Sequence, residues 1–175
     1  AAILALALLA PLVTPYEPLR TDLDGALAGP SAGHPFGQDR LGRDVFSQVA
    51  HGARSSVLIA VSVVAVTANI GVAAGAAAGY AGGALDALVM RTVDIFLAFP
   101  GILLALALAG VLGPRLSNLV IALSVMGWVG YARLARAQVL SLREREYVAA
   151  ARAIGAGPGR IVVRHILPNA LSPVI

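Results

Sequence analysis

Three histidines, nine acids and thirteen arginines are the side chains of this 175-residue sequence that could carry acid–base or metal chemistry. His34, His51 and His165 lie far apart, and neither an HExxH pair nor a paired-carboxylate spacing accompanies them. A zinc site or a catalytic histidine is therefore not indicated. There is no cysteine, which excludes disulfides and thiolate metal sites. No GxxxxGK[ST] phosphate loop occurs, so the chain itself is not expected to bind ATP. Arg91 and Asp94 stand three apart and can pair on one helix face. Such a pair could relay protons in a self-contained transporter; a structural ion pair is the plainer account. The expectation is a non-catalytic chain with no cofactor and no bound metal.

The elements that must position these residues are apolar. Hydrophobic residues make up 58% and charged residues 13%, against roughly 45–50% and about 25% in soluble domains. Too few charges remain to cover a water-facing surface. With 35 Ala and 19 Gly, the composition suits helices packed closely in lipid. Charge-free runs cover 31 residues (Ser55–Leu85), 20 residues (Ile95–Pro114) and 17 residues (Leu116–Ala132). About 20 helical residues cross a bilayer. Spans are expected near Ser55–Gly79, Leu88–Leu112 and Ser117–Gln138. A shorter apolar run, Ala1–Val13, reads as the remnant of a first transmembrane helix; a signal-peptide core would want a basic region before it.

Residues 14–54 are polar, with four Pro and four Arg against five acids. They read as a loop on one face of the membrane. Its last part, Asp39–Ala53, can form a helix capped by Asp39, with Leu41, Val45 and Val49 on one stripe. That helix would lie on the membrane surface or pack on other loops.

All thirteen basic residues are Arg, and their placement sets the topology. Residues 1–130 hold six Arg and seven acids, net −1; residues 131–175 hold seven Arg and two Glu, net +5. Arg133–Arg164 should be cytoplasmic by the positive-inside rule, which places residues 14–54 outside. Without interleaved aromatics or a basic soluble face, the cluster does not indicate nucleic acid.

Within the spans, small residues recur every four positions. Gly71, Gly75, Gly79 and Gly83 form one ridge; Gly101, Ala105, Ala109 and Gly113 form another. Each lets a neighbouring backbone approach closely. Pro100 should kink the third span or mark its entry. Trp128, Tyr131 and Arg133 suit an interfacial belt and anchor.

After the last span, Ser141–Ile154 carries helix formers, with Tyr147, Ala151 and Ile154 on one face. Gly155 can take a left-handed position at the helix end, and Pro158 suits the first turn of the next helix. Arg160–Leu167 then runs back toward the membrane, and Pro168 closes it. Two short helices meeting at a glycine elbow make a protruding knob, suited to a groove on another protein.

YVAAARAIGAGPGRIVVRHILPN (Tyr147–Asn169) resembles the cytoplasmic EAA loop of bacterial ABC-importer permeases. That pattern is Glu-Ala-Ala, three residues, Gly, nine residues, Ile, one residue, Leu-Pro. Here Ala149-Ala150-Ala151, Gly155 and Leu167-Pro168 keep the spacing; Ala149 replaces the Glu and His165 the Ile. HPFGQDRLGRDVFSQVAHGAR (His34–Arg54), MRTVDIFLAFPGILLALAL (Met90–Leu108) and GYARLARAQVLSLREREYV (Gly130–Val148) are similar to the C-type permease subunit of the dipeptide/oligopeptide/nickel branch.

The resemblance implies an all-α integral membrane protein with a MetI-like polytopic fold of six helices, both ends cytoplasmic. The fifth helix is then expected to begin near Ile175, making this a fragment that lacks the last two helices. It also implies a bacterial inner-membrane importer of peptides or related solutes, nickel complexes being the alternative. The implied partners are a sister permease subunit, two ATP-binding subunits and an extracytoplasmic substrate-binding protein. Tyr147, Ala149, Ala150, Ala151, Arg152, Ile154, Gly155 and Ala156 would dock an ATP-binding subunit. A self-contained secondary transporter or channel is the competing class; it has no need for the knob.

Overall fold

The computed structural model describes residues 2–170. Ala1, the first position of the expected first helix, and the expected start of a fifth helix beyond residue 170 lie outside the described residues. The elements are α1 (Ala2–Val13), α2 (Val45–Ala81), α3 (Gly83–Leu97), α4 (Gly101–Leu112), α5 (Leu116–Leu142), α6 (Glu146–Ala153), α7 (Pro158–Ile161) and α8 (Leu167–Ala170). No β-strand forms among the described residues; one isolated antiparallel bridge links Gln38 to Asp44. The chain divides into two compact units, Ala1–Val61 and Ser62–Ile175.

In the first unit, residues 14–44 fold as an irregular loop pinned by two carboxylates. Asp39 accepts the Leu41 and Arg43 amides at 2.8 and 3.0 Å and pairs with the Arg43 guanidinium at 2.7 Å. These bonds favour the charged form, and the Arg43 side chain does most to hold the Asp39 carboxyl well below the usual carboxylate range. Asp44, not Asp39, starts the helix. Its Oδ2 accepts the Ser47 amide at 2.7 Å, an N-cap bond to the third helical residue. Asp44 is buried, and His34 Nδ1 lies 3.0 Å from its Oδ1. Burial pushes its carboxyl up, but the bonds from Ser47 and His34 outweigh that and leave it below its ordinary value. Asp39 cannot cap because Gly42 intervenes at φ +70, outside helical geometry, where an added Cβ would strike the Asp22 backbone.

A separate surface helix is also absent. Residues 45–54 are the opening turns of α2, whose 37 residues span about 55 Å, well beyond the roughly 30 Å hydrocarbon core.

Among the described residues, two helices are long and apolar enough to cross a membrane, α2, which begins in the first unit, and α5. The expected Leu88–Leu112 span is not one straight helix. It is the pair α3 and α4, bent by 83° across the break before Gly101. Pro100 sits at the N-cap of α4 with extended backbone, φ −63 and ψ 107. Its ring bars the preceding residue from helical geometry, so the third run breaks there rather than bending gently. α4 and α3 both pack on α5. Trp128 makes an edge-to-face contact with Phe96 at 5.7 Å. It packs α3 against α5 near the middle of α5.

Candidate functional site

The knob is built on the contact between α2 and α5. Gly71, Gly75 and Gly79 sit one turn apart on α2 and face the α5 backbone. A Cβ at Gly75 would overlap the Ala132 carbonyl, one at Gly71 the Trp128 carbonyl, and one at Gly79 would stand 2.9 Å from the Arg136 carbonyl oxygen. Gly127 of α5 repeats the device in reverse, against the side chain of buried Thr67. Only hydrogen at these Cα positions permits the approach. Gly83 does not belong to the ridge. α2 ends at Ala81, and Gly83 opens α3 at φ +56 with nothing within 4 Å of an added Cβ. Four-residue spacing aligns positions only while the helix continues.

On this seat the chain leaves α5 at Leu142. A single helix over Ser141–Ile154 does not form: the chain breaks at residues 143–145 and restarts as α6 at Glu146. Val148 and Ala151 of α6 are buried with Ile161, Ile166 and Ala170, against Ala76 and Val139 of the seat. Fully burying three side chains of Val or Ile size contributes on the order of 1.5–3 kcal/mol each. The expected common face of Tyr147, Ala151 and Ile154 does not exist. Ala151 points inward, while Tyr147 is exposed and Ile154, 86% exposed, lies one residue past the helix. The inward positions are three apart, 148 and 151, which rotates the stripe by one residue.

The elbow closes as a Schellman motif. Gly155 takes φ +83, its amide donates to the Arg152 carbonyl at 3.0 Å, and the Ala156 amide donates to the Ala151 carbonyl at 3.0 Å. Ala156 packs half-buried against the knob core. Pro158 occupies the first turn of α7, where its missing N–H costs nothing. The helical path does not stop at Pro168. Residues Val162–Ile166 widen into a π turn that leads into α8, Leu167–Ala170. Wider turns relieve the clash a proline ring makes with the carbonyl four residues back.

The surface left by this packing consists of Tyr147, Ala149, Ala150, Arg152, Ile154 and Gly155, all exposed; Ala151 is not available on it. Arg152 also stacks over the Tyr80 ring at 5.6 Å, a cation–π contact holding α6 to the end of α2.

Three charged residues that the sequence reading assigned no partner tie the seat together. Arg136 of α5 makes a bidentate pair with Asp86 of α3, at 2.5 and 2.6 Å. Arg143, at the end of α5, donates to the Gly79 carbonyl at 2.9 Å. That carbonyl belongs to the last turn of α2, where a cation is favoured. Arg91 and Asp94 are both exposed and form no ion pair with each other. Asp86 and Arg136 are fifty residues apart, a distance at which spacing alone pairs nothing. Elsewhere, the expected small-residue ridge of α4 begins at Gly101, where an added Cβ would meet the Met126 side chain at 3.5 Å.

Helices long enough to cross a bilayer, a glycine-mediated helix contact and an exposed helix–glycine–helix knob define the class: a polytopic helical membrane protein. The chain belongs to the binding-protein-dependent transport system inner membrane component family, which matches residues 71–175. It is 44% identical over 170 residues to the dipeptide transport system permease protein DppC of Alkalihalophilus pseudofirmus, covering 97% of this chain and 56% of that protein. It is 41% identical over 172 residues to a probable D,D-dipeptide transport system permease protein of Escherichia coli, covering 98% and 58%. It is 39% identical over 173 residues to an oligopeptide transport system permease protein of Bacillus subtilis, covering 99% and 57%. The chain thus spans a little over half the length of these curated relatives.

Proposed function

We propose that this chain is the membrane-spanning part of a permease subunit in an ATP-driven peptide importer. Separate ATP-binding subunits hydrolyse ATP, an extracytoplasmic binding protein delivers substrate, and a sister permease completes the pathway. The observation that carries this reading is the knob. Its inner face is spent on Val148, Ala151, Ile161 and Ile166, and its outer face presents Tyr147 and Ile154 to solvent beside small Ala149 and Ala150. Two exposed apolar side chains on a pre-formed elbow suit a groove on a partner, since ordering costs are already met. Tyr147, Ala149, Ala150, Arg152, Ile154 and Gly155 are the docking residues. Peptides are the substrate class named for the relatives, which favours them over nickel complexes. The knob faces the cytoplasm because the arginines after residue 130 retain it there, and residues 14–44 lie outside.

The test is uptake of a labelled dipeptide into proteoliposomes holding the full-length permease with its sister and ATP-binding subunits, fed by the binding protein. Uptake should require ATP, and Ala150→Cys should cross-link to an ATP-binding subunit. Uptake by the permease pair alone would establish the self-contained carrier instead. Uptake of nickel but not dipeptide would replace the substrate class. Asp24→Cys should label from outside intact cells; labelling only after lysis reverses the topology.

A further inference from the structure

Among the described residues, the corner between α2 and α3 has unusual construction. Gly82 and Gly83 are consecutive and both left-handed, at φ +66 and +56. A Cβ added at Gly83 would meet nothing within 4 Å, and one at Gly82 only the end of the Arg143 side chain at 3.6 Å. So no side chain packs around the two glycines themselves, although main-chain bonds join Gly82 to Ala78 and Asp86, and Val93 further along α3 is buried against Val129 and Ala132 of α5. Two arginines bridge it at close range. Arg143 grips the α2 side through the Gly79 carbonyl, and Arg136 grips the α3 side through Asp86. Arg136 and Arg143 stand seven residues apart on α5, two turns along one face. Arg143 is also the residue from which the chain departs into the knob.

We propose that Arg136, through Asp86, is a positioning residue that transmits displacement of the knob to the α3–α4 pair. The inference rests on the importer reading above. A docked partner that shifts the knob shifts the end of α5. The bidentate pair sets the orientation in which the near end of α3 follows, while Val93, buried against Val129 and Ala132, keeps α3 on α5. A planar, doubly bonded guanidinium–carboxylate pair fixes orientation as well as distance, which a relay needs and a simple tether does not. Among the described residues, the side chains of Asp86 and Arg136 hydrogen-bond to each other and to none of the proposed docking residues.

A double-mutant cycle in the reconstituted complex tests this. Four complexes are compared: wild type, Asp86→Asn, Arg136→Gln and the double variant. The readouts are yield of assembled complex, ATPase rate without binding protein, and the increase in ATPase and uptake when loaded binding protein is added. Each single variant should assemble and retain the unstimulated rate, while the stimulated increase and the uptake fall roughly tenfold, the order expected for losing a charged hydrogen-bonded pair. The double variant should be no worse than the weaker single, because both act through one contact. Losses that multiply in the double variant, singles that respond like wild type, or assembly and ATPase falling in parallel would each overturn the relay. A wild-type complex that imports nothing with ATP present would instead overturn the importer reading, so the two failures are distinguishable.

Discussion

The 14–44 loop and the 146–168 knob both leave regular helix, both turn on left-handed glycines and both use main-chain bonds, yet charge fastens the first and burial the second. The loop joins main-chain bonds, Leu27 to Asp39 and Gln38 to Ala28 among them, to two carboxylates: Asp39 on Leu41, Arg43 and Gln48, and Asp44 on Ser47 and His34. The knob is closed by main chain and apolar burial, with a Schellman elbow over Val148, Ala151, Ile161 and Ile166. A loop held by ionised acids keeps its shape through directional bonds that a proton can remove. A knob held by burial keeps its shape through volume, and only a change of volume or of backbone conformation dislodges it.

The largest effect should come from the seat beneath the knob. Gly75→Leu sets a branched side chain against the Ala132 backbone, which cannot move aside as a side chain could. Overpacking of this kind costs typically 1–3 kcal/mol, and a backbone clash should reach or exceed about 3 kcal/mol by the same accounting. We expect α2 and α5 to separate and the knob to lose Ala76 and Val139 together. Protease nicking near residue 145 in membranes would report it. Resistance equal to wild type would mean that the glycine face does not govern the seat.

Next is Gly155→Val. A left-handed non-glycine residue costs roughly 1–2 kcal/mol, more when β-branched. Nothing lies within 4 Å of the added Cβ, so the effect isolates backbone conformation from packing. The permease should insert at normal levels while ATP-driven uptake falls at least about tenfold, matching a cost of about 1.4 kcal/mol. Uptake at the wild-type rate would show that the elbow tolerates a different turn.

Asp44→Ala should act on the loop alone. Loss of an N-cap costs about 1 kcal/mol, up to about 2, and His34 loses its partner. Hydrogen exchange should quicken at Ser47 and Gln48 but not at Gly155. Equal quickening at both would remove the distinction between the two regions.

Much of this was legible because burial in lipid leaves a blunt record. Charge-free runs mark α2 and α5, and Gly-Ala-Gly-Pro-Gly marks the elbow. Faces and partners were less legible. Asp39 and Asp44 are equally good caps by residue type, and only the left-handed Gly42 between them decides for Asp44. The glycine spacing runs on through Gly83, but the chain turns at Gly82, so the last member falls off the ridge. Arg91 and Asp94 looked paired at three-residue spacing, whereas Arg136 found Asp86 across fifty residues. Local periodicity carries no information about such closures.

The smallest effect, and the one that separates the regions most cleanly, is pH. Asp39 and Asp44 both titrate below the ordinary carboxylate value in the folded loop. A depressed folded value means that the unfolded loop binds protons more readily than the folded one. The stability they contribute is therefore fully present above the unfolded value of about 3.9, and it drains away as pH falls through the folded values. Between pH 7 and 5 the loop should not change. Below about pH 4 the protection of its amides, Leu41, Arg43 and Ser47, relative to their intrinsic exchange rates should begin to fall. The Gly155 and Ala156 amides donate to carbonyls, which do not titrate in this range, so their protection should persist after the loop has opened. Exchange measured on the detergent-solubilised permease from pH 7 to pH 3 checks both halves. Loop protection lost already at pH 5 would mean that something other than these carboxylates closes it. Loss in the knob at the same pH as in the loop would mean that the two are not held by different chemistry at all.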